Sequence, residues 1–325
     1  MDPSPQPTKR IESIDQFRGF AILLMVLANY LGRPNRVPAW LKHTPDVGLT
    51  VIDLIAPLFV YAIGLTYGLS ARRRTRDTGK RQAVEHFLER FLSMLGLGAL
   101  VAAGGPFLGF DPSEAGWGVL QALGVAGLLC LPLIWSPTWL RLATGLALLG
   151  GYQALLDRYW MNGVLQSSHG GIQGSLGWSA MLILATVLAD LFHDPRCRRS
   201  PYLWACAFAI LLGSGLAFWV PVSKSRISTS YVLIAVGSSG LLFGAFYLLV
   251  DRLHVRVPLL SAWGRNPLVL YFLHYLLLGA FALPSVGWWY IDAPAWLIVL
   301  ELLCVLGVLS WVGWYLARKQ WFLAL

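Results

Sequence analysis

Blocks of about 20 apolar residues recur along the 325-residue chain, and this recurrence constrains the fold more than any other feature. A helix needs about that many residues to cross a hydrocarbon core of about 30 Å, and a spanning helix satisfies its own backbone hydrogen bonds. Ten segments fit, at about 14–32, 49–71, 84–104, 116–135, 138–156, 175–193, 201–220, 229–250, 266–283 and 294–317. Only Ser136-Pro137 separates the fourth from the fifth, which reads as a tight helical hairpin. Arg141 and Gln153 sit near the ends of the fifth and weaken it. The pattern predicts an all-α fold, a polytopic membrane helix bundle of about ten transmembrane helices. It forms a single transmembrane domain over 13–325, behind a polar, proline-rich tail at 1–12. The tail lacks the apolar core of a signal peptide, so the first block reads as an uncleaved helix.

Charge sets the orientation. The chain is 57% hydrophobic and 13% charged, where a soluble domain carries roughly a quarter charged residues. Its net charge of +9 lies in short loops between apolar blocks, so it reports topology rather than nucleic-acid binding. With the N-terminus in the cytosol, 17 of the 25 Lys and Arg fall on the cytosolic side and six outside, with Arg18 and Arg90 near cytosolic helix ends. The C-terminus is then cytosolic as well. Cys130, Cys197, Cys206 and Cys304 form no C-x-x-C pair, which argues against a disulfide framework or a zinc site, and no metal site is expected. There is no P-loop, dinucleotide fingerprint, H-E-x-x-H or nucleophile elbow.

Ionisable groups inside a bilayer are costly and are therefore candidates for function. Asn29 lies near the outer end of the first span, Asp53 about one turn into the second, and His43 in the loop between them. A histidine there can act as a general base, with a carboxylate or amide fixing its tautomer. The plainer readings are a solvated loop histidine, an Asp53 that caps its helix after Thr50, and an Asn29 that joins helices. Arg18, one turn into the first span, and Arg90 in the third are snorkelling cations or anion-binding ones. Arg72-Arg73-Arg74 reads as a topology anchor. Asn266 and His274 are eight apart, on roughly one helix face, and serve either packing or a site. Lys224 belongs to an outer loop, where a solvated charge is the plain reading.

Five segments resemble a known family in its own order. Ser13-Ile-Asp15-Gln-Phe-Arg18-Gly19, with its helix ending in Asn29-Tyr30, resembles the opening of the heparan-α-glucosaminide N-acetyltransferase family. His43-Thr-Pro-Asp-Val-Gly48-Leu49-Thr50-Val-Ile-Asp53 through Pro57 is similar to that family's His-x-x-Trp-Asn-Gly-Leu-Thr-x-x-Asp-Leu-x-x-Pro. Gly118-Val-Leu-Gln121, Pro221-Val-Ser-Lys224 through Ser230-Tyr231-Val232, and Gly264-Arg-Asn266 through Tyr271 and His274 resemble the later motifs. The resemblance implies a membrane acetyltransferase that takes acetyl-CoA from the cytosol and acetylates an amino sugar of an extracytosolic glycan. It implies that His43, Asn29 and Asp53 are catalytic, with His43 a general base or a transient acetyl carrier. It also implies donor contacts from Arg18, Arg90, Gln121, Lys224, Asn266 and His274. Three departures bear on the substrate: Asp46-Val47 stands for Trp-Asn, Ala122 for an Arg, and Ser168-His169-Gly170-Gly171 for Asp-Pro-x-Gly. The compact N-terminus, without the long extension of animal members, points to a prokaryotic member in a bacterial inner membrane.

Two other functions use the same polar cluster. One is O-acetylation of a periplasmic glycan, which gives a base-labile ester. The other is a transporter that binds no acetyl-CoA. Small residues such as Gly145, Gly150 and Gly151 suit helix contacts within the chain or in a homo-oligomer.

Overall fold

The computed structural model describes residues 11–108, 116–195, 199–282, 284 and 286–322. Lys9, Arg10, Arg196, Cys197 and Arg198 lie outside the described residues. Among those described, the fold is all helical, with no strand. The long helices are α1 (Glu12–Leu31), α2 (Ile55–Thr78), α3 (Lys80–Gly104), α4 (Val119–Cys130), α5 (Thr138–Leu155), α7 (Gly171–His193), α8 (Ser200–Leu216), α9 (Thr229–Phe246), α11 (Pro267–Ala282) and α12 (Ala295–Arg318). Two short helices, α6 (Met161–Leu165) and α10 (Pro258–Arg265), complete the set.

Each of the ten apolar segments lies on one of the long helices, but among the described residues six helices have the length and apolarity to cross a membrane. These contain α1, α2, α3, α7, α9 and α12. The fourth segment is the clearest shortfall, since its α-helix covers only Val119–Cys130 before a turn of 3-10 helix at Leu131–Leu133. The second starts late because Val51–Leu54 is also 3-10, and α2 then runs on to Thr78.

Polar groups point inward and many large apolar ones outward, as a bilayer requires. Trp204, Phe208 and Leu211 of α8 and Trp296 and Trp311 of α12 are exposed. Asp53, Arg141, Asn266, His274 and Glu301 are buried. Arg141 pairs with Asp190 of α7, which also accepts from the Thr138 hydroxyl at 2.6 Å. Gln153 accepts from the Thr229 backbone N–H at 2.9 Å. Both polar residues that weaken α5 in the sequence are thus bonded inside the bundle, where an unpaired group would cost several kcal/mol, about the size of a lost buried hydrogen bond or more. Tyr30 of α1 donates to Glu301 of α12 and ties the last helix to the first. Gly145 packs on Ile183 and Leu184 of α7, whereas Gly150 and Gly151 face open space.

One close approach positions the site. A Cβ on Gly19 would run into the backbone of Leu260, and one on Gly264 into that of Asp15. Two facing glycines let α10 lie directly on α1. Arg265, which ends α10, is thereby brought to the cavity that Arg18 also lines.

The bundle has two unlike ends. The start of α1, the α2–α3 turn at Gly79 and the C-terminal end of α12 mark what we term the basic end. The loops at 32–50 and 217–228 mark the histidine end.

Candidate active site

At the histidine end, two loops far apart in sequence are zipped together. Gly48 donates its backbone N–H to Val222 O at 2.8 Å, and Ser225 donates its hydroxyl to Pro45 O at 3.2 Å. Arg226 grips Asp46 through Nε at 2.8 Å and through its terminal nitrogen, and the Ser223 hydroxyl donates to the same carboxylate at 2.9 Å. That pairing holds the Asp46 carboxyl below its ordinary range and raises the Arg226 guanidinium. Tyr231 donates to the backbone oxygen of Asp53 at 2.7 Å, and Ser228 caps α9 below. His43 and Lys224 are carried on the two sides of this zip.

Asp53 fulfils both roles the sequence left open. Its Oδ2 accepts the Thr50 backbone N–H at 3.0 Å, closing a capping box at the entry to α2, and also accepts from the Thr44 hydroxyl. Its Oδ1 accepts Nδ1–H of His43 at 2.8 Å. The carboxylate is fully buried, and this bond fixes the His43 tautomer with a lone pair on Nε2. His43 keeps 45% of its side-chain surface accessible, and it lines two of the internal cavities. Burial lowers its pKa, the Asp53 bond raises it and the Lys224 charge lowers it again, for a net fall below the ordinary histidine value. His43 is therefore neutral at pH 7 and able to accept a proton.

Asn29 lines the same cavities but does not bond to His43. Its Nδ2 lies 2.9 Å from Nε2 of His274, whose Nδ1–H donates to the Tyr271 carbonyl. That pattern makes Asn29 the donor and leaves its amide oxygen at the cavity wall. Lys224, placed with the donor residues by resemblance, stands instead against His43, with Nζ 3.1 Å from Nδ1 and 3.3 Å from Nε2. Gln121 accepts the Gly118 N–H at 2.6 Å and caps α4 beside the same cavity. Asn266 is buried at the junction of α10 and α11 and lines none of these cavities.

Three cavities with shared wall residues lie between the two ends. One of about 370 Å³ at the basic end is lined by Arg18, Arg90, Arg265, Met94, Tyr271 and Phe322. A narrow one of about 80 Å³ touches Phe59, Val119, Asn29, His43 and Tyr271. The third, about 400 Å³, opens at the histidine end and holds Asn29, His43, Trp117, His169, Lys224 and Tyr275. Val119 and Tyr271 contribute to the walls of all three. Arg18 donates to Thr66 at 2.9 Å, while Nε of Arg90 and of Arg265 is buried without a hydrogen-bond partner among the described residues.

Sequence reasoning missed Arg265 and His169 as site residues. Arg265 sits inside the Gly264-Arg-Asn266 run but reads as one more topology charge. His169 has φ 53° and is followed by two positive-φ glycines, Gly170 and Gly171. A left-handed histidine followed by Gly-Gly is a local signal of a constrained turn.

Among the described residues no group of three or more His, Cys, Asp or Glu is placed to hold a metal ion. Residues 10–169 match the family described as heparan-alpha-glucosaminide N-acetyltransferase, catalytic. The mouse heparan-alpha-glucosaminide N-acetyltransferase is 32% identical over 123 residues, covering 36% of this chain and 18% of the mouse protein. The human protein of the same name is 33% identical over 123 residues, with the same shares. The alignment thus spans less than a fifth of the length of these curated relatives.

Proposed function

We propose that this chain, which belongs through residues 10–169 to the heparan-α-glucosaminide N-acetyltransferase family, moves an acetyl group from acetyl-CoA at its basic end to an amino sugar at its histidine end. Membrane-spanning helices, the all-helical fold and the family's acetyltransferase activity support the class. The observation that carries the reading is the set of cavities with shared walls that has three arginines in one and His43, held by Asp53, in the other two.

In this reading the nucleotide and its phosphates stay with Arg18, Arg90 and Arg265, whose guanidinium forks suit phosphate oxygens. The pantetheine arm fills the narrow middle and presents the thioester beside His43. Nε2 of His43 takes the proton from the acceptor amine as nitrogen attacks the carbonyl carbon, and then returns it to the leaving CoA sulfur. Asp53 keeps the imidazole in the tautomer that allows this. Asn29, held by His274, turns its amide oxygen toward the acceptor. Gln121 shapes the wall, and Asn266 supports the helix junction beneath Arg265.

The same reading has ten spans with both termini in the cytosol, the basic end facing acetyl-CoA and the histidine end facing a periplasmic glycan at a bacterial inner membrane. Modification of cysteines introduced singly near Gly79 and near Pro45 by an impermeant reagent tests this orientation. The chemistry is tested with purified protein, acetyl-CoA and a panel of amino sugars. Transfer that gives a base-stable product and is lost in His43→Ala, with CoA binding retained, supports it. A folded wild type that binds no acetyl-CoA overturns it. A rapid burst of CoA release without acceptor places the acetyl on His43 as an intermediate.

A further inference from the structure

Lys224 is a cation held against the base, and its nearest acid, Asp53, acts on it only from behind the His43 ring. Among the described residues no carboxylate forms an ion pair with it. The two nearby acids are occupied: Asp46 by Arg226 and Ser223, and Asp53 by His43, Thr44 and Thr50. The Lys224 ammonium has three N–H donors, and its contact is with the His43 ring. Its near-equal distances of 3.1 Å and 3.3 Å to the two ring nitrogens put Nζ over the ring face. In the ring plane the same distances would drive it into the carbon between them. The in-plane lone pair of Nε2 is therefore left open. Burial pushes the Lys224 pKa down to about 8, partly offset by the charge of Asp53, as befits an ammonium drawn out of water.

A half-buried ammonium beside the base, whose neighbouring acids are bonded to other groups, is arranged for an anion that forms in transit. Resting on the acyl-transfer reading above, we propose that Lys224 is the oxyanion-binding residue, donating hydrogen bonds to the thioester carbonyl oxygen as it becomes negative. In the tetrahedral adduct the attacking nitrogen and the oxyanion are substituents of one carbon, so the base and the oxyanion donor must be neighbours. Nζ at 3.3 Å from Nε2 meets that requirement. As the C–N bond forms, the carbonyl π pair moves to oxygen and is held by Lys224. Nε2 of His43 takes the N–H proton. The pair returns, the C–S bond breaks, and the His43 proton goes to sulfur, giving amide and free CoA thiol.

Kinetics of Lys224→Met, Lys224→Gln and Lys224→Arg with acetyl-CoA and a neutral amino sugar test this. Removing an oxyanion donor costs about 10²–10³ in kcat. Lys224→Met is expected to show that loss with both KM values and the thermal midpoint unchanged, Lys224→Gln a smaller loss, and Lys224→Arg the smallest. The groups facing Lys224 are His43, with Asp53 behind it, and His169, so a pH profile separates the alternatives. Full recovery of kcat in Lys224→Met at higher pH, with the acidic limb moved upward, would mean that Lys224 only tunes His43, and overturns the proposal. A raised KM for acidic sugars with kcat intact for neutral ones makes Lys224 an acceptor-binding group and overturns it too. If Lys224→Met does not fold, an undiminished kcat in folded Lys224→Gln overturns the proposal equally. A wild type that transfers acetyl to no amine fails the functional reading itself, before any variant is compared.

Discussion

The two ends of the passage hold their charges differently. At the basic end the cavity lining carries three arginines and no carboxylate, and two of those guanidinium groups have a buried Nε with no hydrogen-bond partner among the described residues. At the histidine end the one carboxylate behind the base is saturated, and its effect reaches the cavity through an imidazole. Guanidinium forks that line a cavity are suited to gripping and releasing a polyanion. A tautomer locked by a buried Asp is suited to moving one proton at a time. On the proposed function, the contrast separates donor binding from acyl chemistry.

The sharpest break of that contrast is His43→Ala. General-base catalysis contributes typically about 10²–10⁴-fold. Turnover should fall by that range while acetyl-CoA affinity, set at the other end, stays within twofold by calorimetry. Asp53→Asn should come next. It leaves an amide that can impose the wrong His43 tautomer and weakens the capping box, so kcat should fall by about 10²-fold, the lower part of the same range, with a measurable drop in thermal midpoint.

At the basic end the signature inverts. A charge-assisted hydrogen bond is worth about 1.5–3 kcal/mol, so Arg90→Ala and Arg265→Ala should each weaken acetyl-CoA by about 10- to 100-fold in Kd and leave kcat at saturation unchanged. Dephospho-CoA substrates would identify which arginine meets which phosphate. A kcat effect without a KM effect in these variants would count against the division of labour.

The pH profile sharpens the comparison further. His43 titrates below its ordinary value and Lys224 near 8. On the proposed mechanism, activity needs neutral His43 and, with Lys224 as oxyanion donor, charged Lys224. The profile of kcat should therefore rise through a limb below pH 6.5, hold across neutrality, and fall near 8. The His43→Ala residual rate should lose the acidic limb alone.

Much of this was legible in the sequence, and what was not was hidden by distance along the chain or by abundance. Apolar block length reports helices well, because a spanning segment must satisfy its own backbone. His43 and Asp53 are ten residues apart and joined by a short loop, so their meeting could be anticipated. Arg141 seemed to weaken its helix because its partner, Asp190, lies on α7, beyond the reach of local pattern. The same distance hid the pairing of Asn29 with His274 and of Lys224 with His43, which joins residues from outside the family-matched segment to those within it. Arg265 was hidden by abundance, since a chain rich in topology arginines gives no local mark to the one that a glycine contact turns inward.

The smallest expected effect concerns the zip beneath the histidine end. Asp46 pairs with Arg226, partly in contact with solvent. An ion pair of this kind is worth about 1 kcal/mol or less, so Asp46→Asn should lower the thermal midpoint only slightly. The Asp46 carboxyl is held below its ordinary value, so its contribution is complete above the unfolded carboxylate range and is lost only as pH falls through the depressed value. Between pH 6 and 8 the wild-type latch is thus constant, and a stability difference between wild type and Asp46→Asn should be flat there and shrink only in acid. What the latch does hold is the position of Lys224 relative to His43, two residues from each gripping side chain or three. A modest kcat loss in Asp46→Asn, absent when Lys224 is already Met, would show by double-mutant cycle that the latch acts through that contact. Equal losses in both backgrounds would confine Asp46 to loop stability and leave the histidine end to be held by Asp53 and Tyr231.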